Sequence, residues 1–146
     1  MSEPEITTSL ELLRWVGWAQ MQAGLEWFRE RELSREQAFA LGFLEQNPGS
    51  SQREISEMTR TSAASVSSLL QGLEKRGLVE RRTDAESART KRVFATPEGI
   101  ALIQGFEPAM HAVEAALLAP LDEGERETFH ELLVKITSVL PRPTRD

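Results

Sequence analysis

The sequence contains no cysteine. That excludes a disulfide scaffold, a Cys-ligated zinc site and a thiol redox sensor. The same absence fits a reducing cytoplasm, the expected compartment. No apolar run approaches the roughly 18 residues that a membrane span needs, so no membrane partner is expected. The opening MSEPEITTS is acidic and polar and does not read as a signal peptide. The closing PRPTRD reads as a short frayed tail. Histidine is scarce: His111 and His130 each stand alone in a helical context. A zinc site would have to recruit Glu107, Glu114 or Glu131 at undetermined distances, so packed or partly exposed histidines are expected and no metal. There is no Gly-rich phosphate loop, no nucleophile elbow and no HExxH motif. The carboxylates are scattered rather than paired. These absences leave no support for an enzyme and imply no cofactor.

What is present suits one soluble domain. The 146 residues are 40% hydrophobic and 27% charged, enough to bury a core. The net charge of −6 argues at first against a nucleic-acid partner, but its distribution is uneven. Residues 51–95 carry +3 and the remainder −9. The middle of the chain is thus an electropositive part of an acidic body, and a basic face on an acidic frame can still track phosphate.

Helix start signals recur along the chain. Ser34-Arg35-Glu36-Gln37, Ser51-Gln52-Arg53-Glu54 and Asp122-Glu123-Gly124-Glu125 all have capping-box form: the first side chain accepts from a free N–H while the fourth reaches back. Thr96-Pro97-Glu98 supplies a cap, a proline suited to the first helical position and an acid at the positive end of the helix dipole. Ser62 before Ala63 and Ala64 is a simple cap. Asn47-Pro48-Gly49 and Gly77 are stops. Helices are expected at about 7–32, 35–47, 52–59, 63–76, 97–119 and 123–139. Pro108, inside the fifth pattern, is expected to kink that helix or mark a break. Leu78–Arg82 and Lys91–Ala95 are strand candidates joined by the polar stretch 83–90, which makes a hairpin.

A short helix, a tight turn, a second helix and a basic hairpin form the layout of a winged helix-turn-helix. Within that layout, Leu33-Ser34-Arg35-Glu36-Gln37, Ser65-Val66-Ser67, Leu73-Glu74-Lys75-Arg76-Gly77-Leu78-Val79-Glu80-Arg81 and Thr96-Pro97-Glu98-Gly99 occur in an order and spacing that resembles the MarR family of transcription regulators. The resemblance runs from about residue 10 to 139. It implies a dimer made by the first and last two helices, and binding to a pseudo-palindromic operator, usually as a repressor. It often implies release by a small aromatic ligand. Two departures stand out. Ser68 occupies a position where the family often has arginine. Ser87-Ala88-Arg89 replaces the Asp-x-Arg often found in the wing.

The expected fold is therefore mainly α with a small β-hairpin wing. A winged helix-turn-helix lobe at 33–96 is joined to a helical dimerisation region at 7–32 and 97–140. In the helix at 63–76, Val66, Leu69, Leu70 and Leu73 form an apolar stripe. The opposite side shows Ala64, Ser65, Ser67, Ser68 and Gln71, short or flexible groups able to approach base edges in a major groove. A merely solvated small-residue face is the plainer alternative. Arg89 near the hairpin tip suits minor-groove insertion. Arg81, Arg82, Lys91 and Arg92 suit phosphate contact or hairpin bracing, with Arg53, Arg60 and Lys75 as further phosphate candidates. A solubilising hairpin paired internally to Asp84 and Glu86 is the competing reading.

The first helix is apolar on more than one side. Leu10, Leu13, Gly17, Met21, Leu25 and Phe28 mark one stripe, and Trp15, Trp18 and Ala19 widen it. Leu117, Leu118, Leu121, Phe129, Leu132, Leu133, Ile136 and Leu140 supply apolar surface at the other end. Such helices need cover from a second copy, so a homodimer is expected. Trp15, Trp18, Trp27, Phe39 and Phe43 are candidates to line a pocket for a flat aromatic effector, against the alternative of plain core and interface packing. The expected partners are double-stranded DNA, a second copy and such an effector. A different class also fits: a dimeric winged-helix interaction or ligand-binding module without DNA binding, favoured by the acidic balance and the serine at position 68.

Overall fold

The computed structural model describes residues 8–143. The expected helix start at residue 7, most of the MSEPEITTS segment and the last three residues of the tail lie outside them. The elements are α1 (Ser9–Arg29), α2 (Arg35–Gln46), β1 (Ser50–Ser51), α3 (Gln52–Thr59), α4 (Ala63–Lys75), β2 (Val79–Thr83), β3 (Lys91–Ala95), α5 (Pro97–Ile103), α6 (Phe106–Leu117) and α7 (Glu123–Thr137).

The helix starts follow from local capping chemistry. Ser34, Ser51 and Asp122 each accept from the backbone N–H three residues on, and Gln37, Glu54 and Glu125 reach back to the cap N–H. Each reciprocal pair satisfies two donors that a helix start otherwise leaves without partners. Thr96 and Ser62 cap α5 and α4 without the return bond.

Contacts divide the chain into two compact units. One comprises residues 25–106. Its core is built from Ala40, Leu41 and Leu44 of α2, Ile55 of α3, Val66, Leu70 and Leu73 of α4, Leu78, and Val79 and Val93 of the sheet. The sheet is antiparallel in the order β1-β3-β2. Arg81 stands opposite Val93, and Ser50 pairs with Val93 from the other side. The two-residue β1 is an addition to the expected hairpin. At one end of this unit Trp27 packs edge-on to Phe28 and Phe106, whose rings stack at 4.8 Å, and the Arg31 guanidinium lies 3.4 Å over the Trp27 ring.

The other unit contains residues 8–24 and 107–143 among those described. Here α1 and α6 approach closely: a methyl on Gly24 would lie 3.7 Å from the Met110 sulfur. Neither α6 nor α7 holds a fully buried residue. Leu10, Leu12, Leu13, Trp15, Val16, Trp18 and Met21 are exposed, as are Leu132, Val134, Ile136, Val139 and Leu140.

One expectation is corrected. The continuous helix at 97–119 is two helices, α5 and α6, separated at Gln104-Gly105. Gly105 has φ +89°, a left-handed backbone that ends α5 and that other residues adopt at a cost. Pro108 does not kink a helix interior. It is the third residue of α6, where its missing N–H would have had no intrahelical acceptor. No described helix is long and apolar enough to cross a membrane.

Candidate nucleic-acid interface

The connection between α3 and α4 is short and clipped. Arg60 takes a left-handed conformation, φ +52°, and caps α3. The Ser56 hydroxyl donates to the Thr61 carbonyl at 2.5 Å, and the Thr59 and Thr61 hydroxyls lie 2.6 Å apart. Ser62 Oγ then accepts from the Ser65 N–H at 3.2 Å and also contacts the Ser65 hydroxyl at 2.9 Å. These contacts fix the angle at which α4 leaves the turn.

Val66, Leu70 and Leu73 are fully buried, with Leu69 half-buried, so the expected stripe anchors α4 in the core. Ala64, Ser65, Ser68 and Gln71 are exposed and Ser67 is half-buried. The first turn of α4 carries no acid. Its positive dipole end and free N–H groups are therefore uncompensated from within the helix, which favours an anionic neighbour.

The wing is strongly self-braced. Arg81 Nε donates to Glu74 Oε2 at 2.8 Å. Arg82 pairs with Glu80 and lies 4.4 Å over the Phe94 ring. Arg92 donates to Asp84 Oδ2 through Nε and Nη2 at 3.2 and 3.1 Å, and to the Gly49 carbonyl at 3.4 Å. Arg89 and Lys91 are exposed, and their side chains have no hydrogen-bond or ion-pair partner among the described residues. Arg53 is exposed in a pair with Glu57, Lys75 is exposed at the end of α4, and Arg60 is exposed in the turn.

The sequence marks Asp84 only as a local charge partner. In the structure it organises the wing tip. Its N–H donates to the Thr90 carbonyl at 2.8 Å and its Oδ1 accepts from the Glu86 N–H at 3.1 Å. That backbone bond, and then the Arg92 guanidinium, hold its carboxyl below the ordinary aspartate value. The stabilisation this represents is full above the unfolded-state value and is lost as pH falls through the lower folded-state value. The wing tip therefore stays braced at neutral pH and loosens only in acid. A carbon-13 titration of the Asp84 carboxyl should give a midpoint below that of an unstructured aspartate. A midpoint at or above it would mean that the Asp84 contacts are not populated in solution.

The sequence gives no sign of the role of Arg76, whose guanidinium donates to the carbonyls of Glu32 at 2.6 Å and Arg31 at 3.0 Å. Nothing local marks a contact across more than 40 residues.

The aromatic candidates do not share one environment. Trp27 is buried in the ring cluster with Phe28 and Phe106. Phe39 is exposed beneath the Arg35 guanidinium, and Phe43 is half-buried. Trp15 and Trp18 belong to the other unit and are exposed. Among the described residues no group of three or more His, Asp or Glu side chains is placed to hold a metal.

A short helix, a clipped turn, an exposed second helix and a braced hairpin define a winged helix-turn-helix protein. A sequence model of the MarR family matches residues 32–90. The chain is 30% identical over 98 residues to the HTH-type transcriptional repressor Rv2887 of Mycobacterium tuberculosis, an alignment spanning 67% of this chain and 70% of that protein. It superposes with a TM-score of 0.82 on the crystal structure of MepR, a transcription regulator of the Staphylococcus aureus multidrug efflux pump MepA, at 29% identity over 92% of this chain and 100% of that one. The MepR–DNA complex gives a TM-score of 0.74 at 30% identity, over 89% and 98%. The chain belongs to the MarR family of transcription regulators.

Proposed function

We propose that the protein is a transcriptional repressor that binds a pseudo-palindromic operator as a homodimer. The carrying observation is the exposed side of α4, which presents Ala64, Ser65, Ser68 and Gln71 and whose first turn is free of acid, in a unit that also presents unpaired Arg89 on its wing. Residues 33–96 would be the DNA-binding lobe, with Gln71 reading a base edge and Arg89 entering the minor groove. Residues 7–32 and 97–140 would form the dimerisation region. The uncovered apolar residues of α1 and α7 support this assignment, because a large apolar surface is rarely left in water. A two-fold dimer would place half-sites about 34–36 Å apart. A flat aromatic effector belongs to the same reading through the family likeness. The exposed rings of Trp15, Trp18 and Phe39 each offer a stacking face, whereas Trp27 is held in the core.

The test is selection of bound fragments from a randomised DNA pool. An inverted repeat is expected; a folded dimer that enriches nothing would sink the proposal. On the selected site, Arg89→Ala should lower affinity and reduce the slope of log K against log salt by about 0.9. Gln71→Ala should instead relax preference at one position per half-site, at about 1–3 kcal/mol, with the slope unchanged. Equal losses on selected and random DNA would remove Gln71 from base readout.

A second reading, an interaction module without DNA binding, draws support from one observation: Arg81, Arg82 and Arg92 are all paired internally. It predicts no salt-dependent binding to DNA at low ionic strength.

A further inference from the structure

We propose that Glu74 and Arg81 form a positioning pair that fixes the wing against the recognition helix α4, and that Arg81 acts through this contact rather than by touching DNA. The inference rests on the DNA-binding reading of α4 and the hairpin.

The geometry separates Arg81 from the other wing cations. Its side chain is 15% exposed, against 63% for Arg82 and 41% for Arg92. Strand alternation puts Arg81 on the face of β2 that carries buried Val79, whereas Glu80 and Arg82 occupy the opposite face. Contact with a phosphate would require the guanidinium to leave both that face and the Glu74 carboxylate 2.8 Å away.

Glu74 is otherwise badly placed. It is the last residue but one of α4, where the negative end of the helix dipole opposes a carboxylate. Arg81 supplies the compensating charge from the neighbouring strand. Gln71 lies three residues before Glu74 and so on the same side of the helix. The pair thus ties the side of α4 that carries the proposed base reader to the strand that leads to Arg89. It spans the Gly77 turn and adds a polar tie to the apolar one that buried Leu78, Val79 and Val93 make at the base of the hairpin. Order set in the free protein need not be acquired on binding, which raises affinity without adding a contact.

The two roles predict opposite signs at Glu74. Removing a carboxylate beside a polyanion strengthens binding if charge alone matters. If the pair positions the wing, the same change weakens it. The experiment uses the full-length protein and a DNA fragment selected by the wild type. Glu74→Gln and Arg81→Gln are each expected to lose about tenfold in affinity with an unchanged salt slope, and the swap Glu74→Arg with Arg81→Glu to recover to within about threefold. Binding by Glu74→Gln as tight as wild type, or a slope reduced by about 0.9 in Arg81→Gln, would overturn the proposal.

Hydrogen exchange in the free protein reads the pair without DNA. The β2 and β3 amides should exchange faster in both single variants and slow again in the swap. Unchanged exchange overturns the proposal on its own. If the wild type binds no DNA, the DNA-binding reading has failed and the positioning role fails with it. Faster exchange in that case would show only a structural pair, and not the pair proposed here.

Discussion

Gly99→Ala should destabilise the protein by about 3 kcal/mol, near the upper end of the usual overpacking cost, even though alanine is the better helix former by about 1 kcal/mol. Gly99 is the third residue of α5 and is buried against the turn between α4 and β2. A methyl there would lie 2.1 Å from the Leu78 carbonyl oxygen, 3.0 Å from its carbon and 3.1 Å from a Leu41 methyl. Two of these three obstacles are backbone and cannot rotate away. Relief requires α5 to withdraw, which strains two bonds that hold it: Thr96 N–H to the Leu78 carbonyl at 3.0 Å, and Thr96 Oγ1 to the Gly77 carbonyl at 2.6 Å. Thr96-Pro97-Glu98-Gly99 is thus a docking motif as well as a helix start. Gly72→Ala is the control. Its methyl would meet only a Gln37 side-chain nitrogen at 3.6 Å, an ordinary contact, so it should be neutral or stabilise by roughly 0.5–1 kcal/mol. Urea denaturation midpoints of the two variants should move in different directions or by very different amounts. A Gly99→Ala variant as stable as wild type would mean that α5 does not pack on Leu78 in solution.

Ala64→Glu should separate folding from binding. Residue 64 is the second position of α4, exposed, in a first turn that holds no acid. A carboxylate there meets the positive helix end and should stabilise the fold slightly, by about 0.5 kcal/mol. The same carboxylate would face DNA phosphate if α4 enters the groove. Like-charge juxtaposition costs several kcal/mol, so affinity should fall on the order of 100-fold or more. Ala64→Gln, of similar size and no charge, should lose far less. The informative pattern is a variant that melts no lower than wild type yet hardly binds. Full DNA affinity in Ala64→Glu would remove the start of α4 from the interface.

The parts of the structure that sequence shows are those whose physics is local. Three capping boxes were readable because donor and acceptor lie within four residues, and all three close as expected. The apolar stripe of α4 was readable because its period is that of the helix. The short strand β1 was not, since Ser50 and Ser51 carry no strand signal and are paired only by residues more than 40 positions away. Pro108 points to a kink or break in the right stretch, but the left-handed backbone at Gly105 makes the break. Among the site candidates, sequence could list the wing cations but not rank them. Arg81 is taken up by Glu74, a partner that lies across a turn, whereas the Arg89 side chain has no such partner among the described residues. Trp18 and Trp27 lie nine residues apart and so on opposite sides of α1, and the sequence does not say which side is covered: Trp27 packs on Phe106 and is buried, whereas Trp18 is exposed.

The sheet order leaves β2 with one unpaired edge along its length, since β3 lies between it and β1. An open edge is a template for a strand from another molecule, and so a route to aggregation. Three of the five residues of β2 are charged, Glu80, Arg81 and Arg82, and a sixth-position charge follows at Asp84. An incoming hydrophobic strand would find no apolar ladder to extend. The internally paired charges that brace the wing thereby also guard its open edge.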